Sequence, residues 1–221
     1  MSKYLVVVDM QNDFIDGAFG TPEAQAIVPK VIDKIKNFKG AVVYTRDTHD
    51  EDYLETFEGQ KLPVEHCIEL TEGWQLQKDI QELQVASRSM ILNKETFGST
   101  QLGGCLQGIH RGVPLEGIEI VGLCTDICVM ANAVLLRTAM PDIPITVTAS
   151  CCAGSTPEAH ENALKAMKSL QIDVEEYSEF YKKQISWNQK DETGYDNRES
   201  GENSCGFCHS HDLRKFISTT L

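Results

Sequence analysis

The stretch Ile118-Glu119-Ile120-Val121-Gly122-Leu123-Cys124-Thr125-Asp126-Ile127-Cys128 decides the fold. Its first six residues are a mainly apolar, β-branched run without strict alternation, the pattern of a strand covered on both faces. Directly after it, Asp126–Thr138 carries Ile127, Met130, Ala131, Val134 and Leu135 on one stripe at helical spacing. Similar short runs stand at Leu5–Val8, Ala41–Thr45, Met90–Asn93 and Ile145–Thr148. Between the first two, Pro29–Phe38 has the apolar spacing of a helix, with Val31, Ile32, Ile35 and Phe38, and Gly40 closes it. Thr156-Pro157-Glu158 reads as a cap, a first-turn proline and a first-turn acid, opening a helix to about Leu170. Strands alternating with helices predict an α/β protein: three layers, αβα, around a central parallel sheet with right-handed crossovers.

Composition sets the outer bounds. The chain has 221 residues, 41% hydrophobic and 24% charged, and 20 basic against 33 acidic residues give a formal charge of −13. That size supports a full core in one domain. A strongly acidic chain is a poor partner for nucleic acid, whose phosphates need Lys and Arg, and for an anionic membrane. No run approaches the ~18 apolar residues of a membrane span, and the first residues lack the layout of a secretory signal. These features predict a cytoplasmic protein with reduced cysteines. Asp50 to about Gly73 is long, polar and irregular, as functional loops are. From about Ser186 the composition turns almost wholly polar, which predicts a disordered tail over 186–221.

In an open parallel sheet, ligands bind beyond the carboxyl ends of the strands. The first run ends in Asp9, the second in Arg46-Asp47-Thr48-His49, the third in Asn93-Lys94, and the fourth leads to Cys128. An acid, a base and a thiol thus converge on one rim. With Thr125 or Asp126 as cap, Cys128 falls in the first turn of a helix, where partial positive charge favours a thiolate and free N–H groups can hold an oxyanion. An unperturbed thiol, with a pKa of about 8.5, is only about 3% ionised at pH 7, so such help matters. Asp9 is placed to take the thiol proton, and Lys94 to hold carboxylate and thiolate together. Asp47 and His49, two apart on an extended segment, point the same way. With Glu58 and His66 downstream they offer a donor set suited to a divalent metal, zinc first, with manganese or iron as alternatives. Glu55 competes with Glu58 for the last place.

Asp9-Met10-Gln11-Asn12-Asp13-Phe14, Asn93-Lys94-Glu95-Thr96-Phe97 and Gly122-Leu123-Cys124-Thr125-Asp126-Ile127-Cys128-Val129 together resemble the isochorismatase-like cysteine hydrolases, and among these the nicotinamidases. The resemblance runs in order over residues 1 to about 180. It implies an isochorismatase-like, Rossmann-like domain over 1–185 and a catalytic triad of Asp9, Lys94 and Cys128. It further implies a cis peptide between Leu123 and Cys124 that turns the Cys124 N–H toward an oxyanion hole, and Phe14 lining a ring pocket. The metal, held through an Asp-x-His pair and downstream residues, would seat a pyridine nitrogen. The implied reaction is hydrolysis of nicotinamide, or a related aromatic amide, to nicotinate and ammonia through a thioester, in a possible homo-oligomer. Another amidase of the superfamily, acting on a carbamoyl or ureido substrate, is the near alternative; such enzymes generally lack the metal pair. The tail segment Cys205-Gly206-Phe207-Cys208-His209 supports a reading of another class, a thiol redox or metal-sensing protein.

Overall fold

The computed structural model describes residues 2–175. In chain order the elements are β1 (Ser2–Val8), α1 (Asn12–Ile15), α2 (Pro22–Asn37), β2 (Ala41–Asp47), α3 (Phe57–Lys61), α4 (Lys78–Ser87), β3 (Met90–Lys94), α5 (Thr100–Gly112), β4 (Leu115–Leu123), α6 (Met130–Ala139), β5 (Ile145–Ala153), α7 (Pro157–Ser169) and β6 (Asp173–Glu175). All neighbouring strands pair in parallel, in the order β3-β2-β1-β4-β5-β6. The predicted α/β class with a covered parallel sheet is what the molecule has.

Period-two geometry explains why the strand sequences are continuous rather than alternating. Leu5, Val6, Val7 and Val8 are all fully buried. Val6 and Val8 join a core built with Leu102 and Leu106 of α5, Leu136 of α6, and Leu164 and Met167 of α7. Leu5, Val7 and Tyr44 point to the other face, where α2 lies across β4 and β5 and buries Ala24, Ile27, Val31 and Ile35.

Several boundaries differ from the sequence reading. Helix α2 begins at Pro22, not near Pro29, because Thr21 caps it by accepting from Ala24 N at 3.0 Å. Pro29 sits inside the helix, since the missing N–H and ring cost less than the packing of a four-residue apolar stripe contributes. Strand β5 runs on through Cys151 and Cys152, which are core residues of the strand rather than its sequel. Helix α7 has the predicted cap, with Thr156 Oγ1 accepting from Ala159 N at 3.0 Å. Asp50–Gly73 is a long connection with only short helical turns. The 186–221 segment and its Cys205–His209 motif lie outside the described residues. Among those described, no helix is long and apolar enough to cross a membrane.

The strand order reverses direction at β1, with β2 and β3 on one side and β4 to β6 on the other. The crevice above the β1/β4 boundary is the place such a sheet offers a ligand.

Candidate active site

Four strand ends meet at that crevice. Asp9 follows β1 with φ 47°, a left-handed turn that swings its carboxylate toward β2. Its Oδ1 accepts from Thr45 Oγ1 at 2.7 Å, and its Oδ2 faces Lys94 Nζ at 2.7 Å. Lys94 and Asp47 are paired in register as the last residues of β3 and β2. Lys94 Nζ donates to Asp47 Oδ1 at 2.9 Å and to Cys128 Sγ at 3.6 Å. One ammonium therefore touches two carboxylates and the thiol, all four side chains being buried.

The turn carrying Cys128 is built differently from the capped first turn predicted for it. The Leu123–Cys124 peptide is cis, and Thr125–Val129 forms a π-helical turn ahead of α6. Gly122 has φ 120°, and a Cβ there would lie 2.0 Å from Val8 O, so β4 can press against β1 at this level only with glycine. Neither Thr125 nor Asp126 caps the turn, because both side chains are engaged by the start of α7. Thr125 Oγ1 lies 2.7 Å from His160 Nδ1, and Asp126 accepts from Ser155 N at 2.8 Å and Ser155 Oγ at 2.6 Å. Asn132 closes the third side, donating to Cys128 O at 2.8 Å and accepting from Ser99 N at 2.9 Å. Neither His160 nor Asn132 stands out in the sequence as a site residue. Each occupies a stripe position of its helix, among buried Ala163, Leu164 and Met167 in one case and Ala133 and Leu136 in the other. A polar residue in an apolar stripe is the signal that would have found them.

Beside this cluster, ligand atoms of Asp47, His49 and His66 lie within 4.8 Å of one another, and all three residues are buried. Asp47 Oδ2 is 3.1 Å from His49 Nε2 and 3.5 Å from His66 Nε2. His66 Nδ1 is 2.9 Å from Val64 O, and a carbonyl can only accept, so Nδ1 carries the proton. In the neutral ring Nε2 then presents a lone pair to a carboxylate lone pair, an arrangement that a cation relieves. The donor set therefore fits a metal ion. Glu58 Oε1 lies 3.8 Å from His49 Nε2, whereas Glu55 is exposed, so Glu58 is the better placed of the two. Tyr53 packs on both imidazoles, with ring centroids 4.5 Å from His49 and 5.0 Å from His66. Phe14 stands edge-on to His66 at 5.7 Å.

Burial and charge set the protonation states. Burial raises Asp47, but the bond from His49 and the Lys94 charge outweigh it and hold this carboxyl well below its usual range. Burial likewise raises Asp9 and outweighs the pull of Lys94. Lys94 is held strongly protonated: burial opposes its charge, and the carboxylates and Cys128 more than compensate. Cys128 departs from the sequence expectation of a ready thiolate. Burial pushes its thiol up, and although Lys94 pulls the other way, Asp9 and Asp47 push it further up. The free protein holds a thiol that must hand over its proton.

Residues 3–176 match the family model described as the isochorismatase domain. The chain belongs to the isochorismatase family. Among solved isochorismatase-like structures it is similar to the pyrazinamidase of Pyrococcus horikoshii in complex with zinc, at 30% identity and TM-score 0.64, covering 80% of this chain and 100% of that one. It is also similar to the nicotinamidase/pyrazinamidase of Bacillus subtilis, at 28% identity and TM-score 0.66 with the same coverage. The nicotinamidase of Saccharomyces cerevisiae is 24% identical over 177 residues, 60% of this chain and 80% of that protein. In this isochorismatase domain the structure brings Asp9, Lys94, Cys128, Asp47, His49 and His66 together, with Glu58 and Phe14 at the edge of the group.

Proposed function

We propose that this isochorismatase-family hydrolase is a metal-dependent cysteine amidohydrolase that converts nicotinamide and water to nicotinate and ammonia. The observation that carries the reading is the Lys94 ammonium, which joins the Cys128 thiol and Asp9 on one side to Asp47 of the metal cluster on the other. Asp47, His49 and His66, with Glu58 beside them, would hold a divalent cation, zinc first. Its chemistry when bound is Lewis acidity toward a ring nitrogen, which orients the amide rather than activating water.

The protein's own residues supply the rest. Asp9, with its basicity raised by burial, takes the proton from Cys128 Sγ. Lys94, staying charged, steadies the thiolate as it forms. The sulfur bonds to the amide carbon, and the developing oxyanion meets the backbone N–H groups of Cys124 and Cys128. Asp9 returns its proton to the amide nitrogen, the C–N bond breaks and ammonia leaves. Water, deprotonated by Asp9, then attacks the thioester carbon, freeing nicotinate and the thiol. Phe14 lines the ring pocket beside His66.

Purified protein loaded with zinc, offered nicotinamide and in parallel a set of carbamoyl and ureido compounds, tests this. The reading expects ammonia and nicotinate from nicotinamide, lost on chelation and restored by zinc. Ammonia from a ureido compound alone would replace it with the other amidase reading.

A further inference from the structure

The segment Gln11-Asn12-Asp13, which begins two residues after Asp9, has its side chains tied to the loop that carries the metal-cluster residues. Gln11 is fully buried and spends both ends of its amide on backbone. Its Oε1 accepts from Asp47 N at 2.7 Å, and its Nε2 donates to Asp47 O at 2.8 Å and to Trp74 O at 3.0 Å. Asn12 Nδ2 donates to Glu72 O at 2.8 Å, and the Asn12 and Asp13 N–H groups reach Gln75 O and Gly73 O, each at 3.0 Å. Asp13 Oδ2 accepts from Cys67 N at 2.7 Å. Cys67 follows His66 directly and stands at φ 48°, a left-handed conformation that a residue with a Cβ adopts only when held there. Cys67 O in turn accepts from His49 N at 3.0 Å. The peptide between His66 and Cys67 is thus fixed by Asp13, and the one after it ties back to His49. Gly73 packs so closely on Asp13 that a Cβ there would lie 2.2 Å from Oδ2.

We propose that Gln11 and Asp13 are positioning residues for the metal centre: Gln11 fixes the backbone of Asp47, and Asp13 fixes the peptide that joins His66 to Cys67. The spacing follows from local geometry. Asp9 must point into the crevice, and the turn from β1 into α1 then aims residue 11 at Asp47 and Trp74, which bracket the loop, and residue 13 at Cys67 within it. A site preorganised in this way pays its ordering cost on folding rather than on binding, and loss of such outer partners typically weakens a metal site about 10- to 100-fold.

The inference rests on the metal-binding part of the proposed function, and its test needs no turnover. Zinc affinity is measured on the purified apo full chain by competition with a chromophoric chelator, and the cobalt-loaded forms give a ligand-field spectrum. Asp13→Ala is expected to weaken zinc about 10- to 100-fold, and Asp13→Asn, which keeps an oxygen for Cys67 N, to restore most of it. Gln11→Glu, which loses the donor to Asp47 O and Trp74 O, is expected to weaken zinc and alter the cobalt spectrum. If Gln11→Glu proves unfolded by circular dichroism, the Asp13 pair decides alone. Equal zinc affinity in the wild type, Asp13→Ala and Asp13→Asn overturns the proposal, as does a wild type that binds no zinc. A wild type that binds zinc in this graded way but leaves nicotinamide untouched sinks the substrate reading and leaves the positioning role standing.

Discussion

Lys94 carries an electrostatic load out of proportion to one side chain. It neutralises Asp9 and Asp47 at 2.7 and 2.9 Å, all three side chains being buried. Replacing it by methionine keeps the volume but leaves two carboxylates buried without a counter-charge, a change that costs about 3–5 kcal/mol when one partner of a buried pair is removed. Urea unfolding of Lys94→Met at pH 7 with chelator present is expected to show that loss. The deficit should shrink as the pH falls, because the stranded carboxylates take up protons in the folded state first. A loss below about 1 kcal/mol would mean the pair is solvated. At this scale the sequence was most legible where chemistry and strand ends coincide: Asp9, Lys94 and Cys128 each follow or close an apolar run. Gln11, Asn132 and His160 were not legible, because what they do depends on Asp47, Ser99 and Thr125, which lie 36, 33 and 35 positions away and which no local pattern encodes.

Elements with strong amphipathic stripes or caps were read with small boundary errors, as in α7 with its Thr156 cap. Helices α4 and α5 were not read. The first buries only Ile80, and the second carries Gly103, Gly104 and Gly108, which lower helix propensity while Gly103 lets α5 approach Ala139 of α6. The start of α7 holds the turn that carries Cys128 through His160, and burial lowers this imidazole to about 4. An unfolded chain binds the His160 proton below about pH 6.5 while the folded one stays neutral down to about 4. Its contribution is therefore whole above pH 6.5 and is lost as pH falls through that window, at about 1.4 kcal/mol per pH unit. Urea titrations between pH 7 and 4.5 are expected to give His160→Gln a shallower decline than the wild type. Parallel declines would show that His160 is already charged in the folded protein.

On the scale of the whole molecule, the order β3-β2-β1-β4-β5-β6 does the assembling. It sets the ends of β3, β2, β1 and β4 side by side on one rim, so residues more than 100 positions apart in sequence meet within hydrogen-bond distance of a single ammonium. The alternation of strands and helices made this architecture legible, and the polar run after β2 marked the loop that carries His49, Glu58 and His66. What stayed illegible was the folding of that loop, since short helical turns and single bridges such as His49 with Ile68 leave no periodicity. On the proposed reading, this convergence makes Cys128 the nucleophile. The most direct test is the nicotinamidase rate of zinc-loaded Cys128→Ala beside the wild type, with folding and zinc content matched. The variant is expected to bind zinc as before and to release ammonia at least about 1000-fold more slowly. Turnover within a few-fold of wild type would contradict it, because the Cys128 thiol would then not be needed for the reaction.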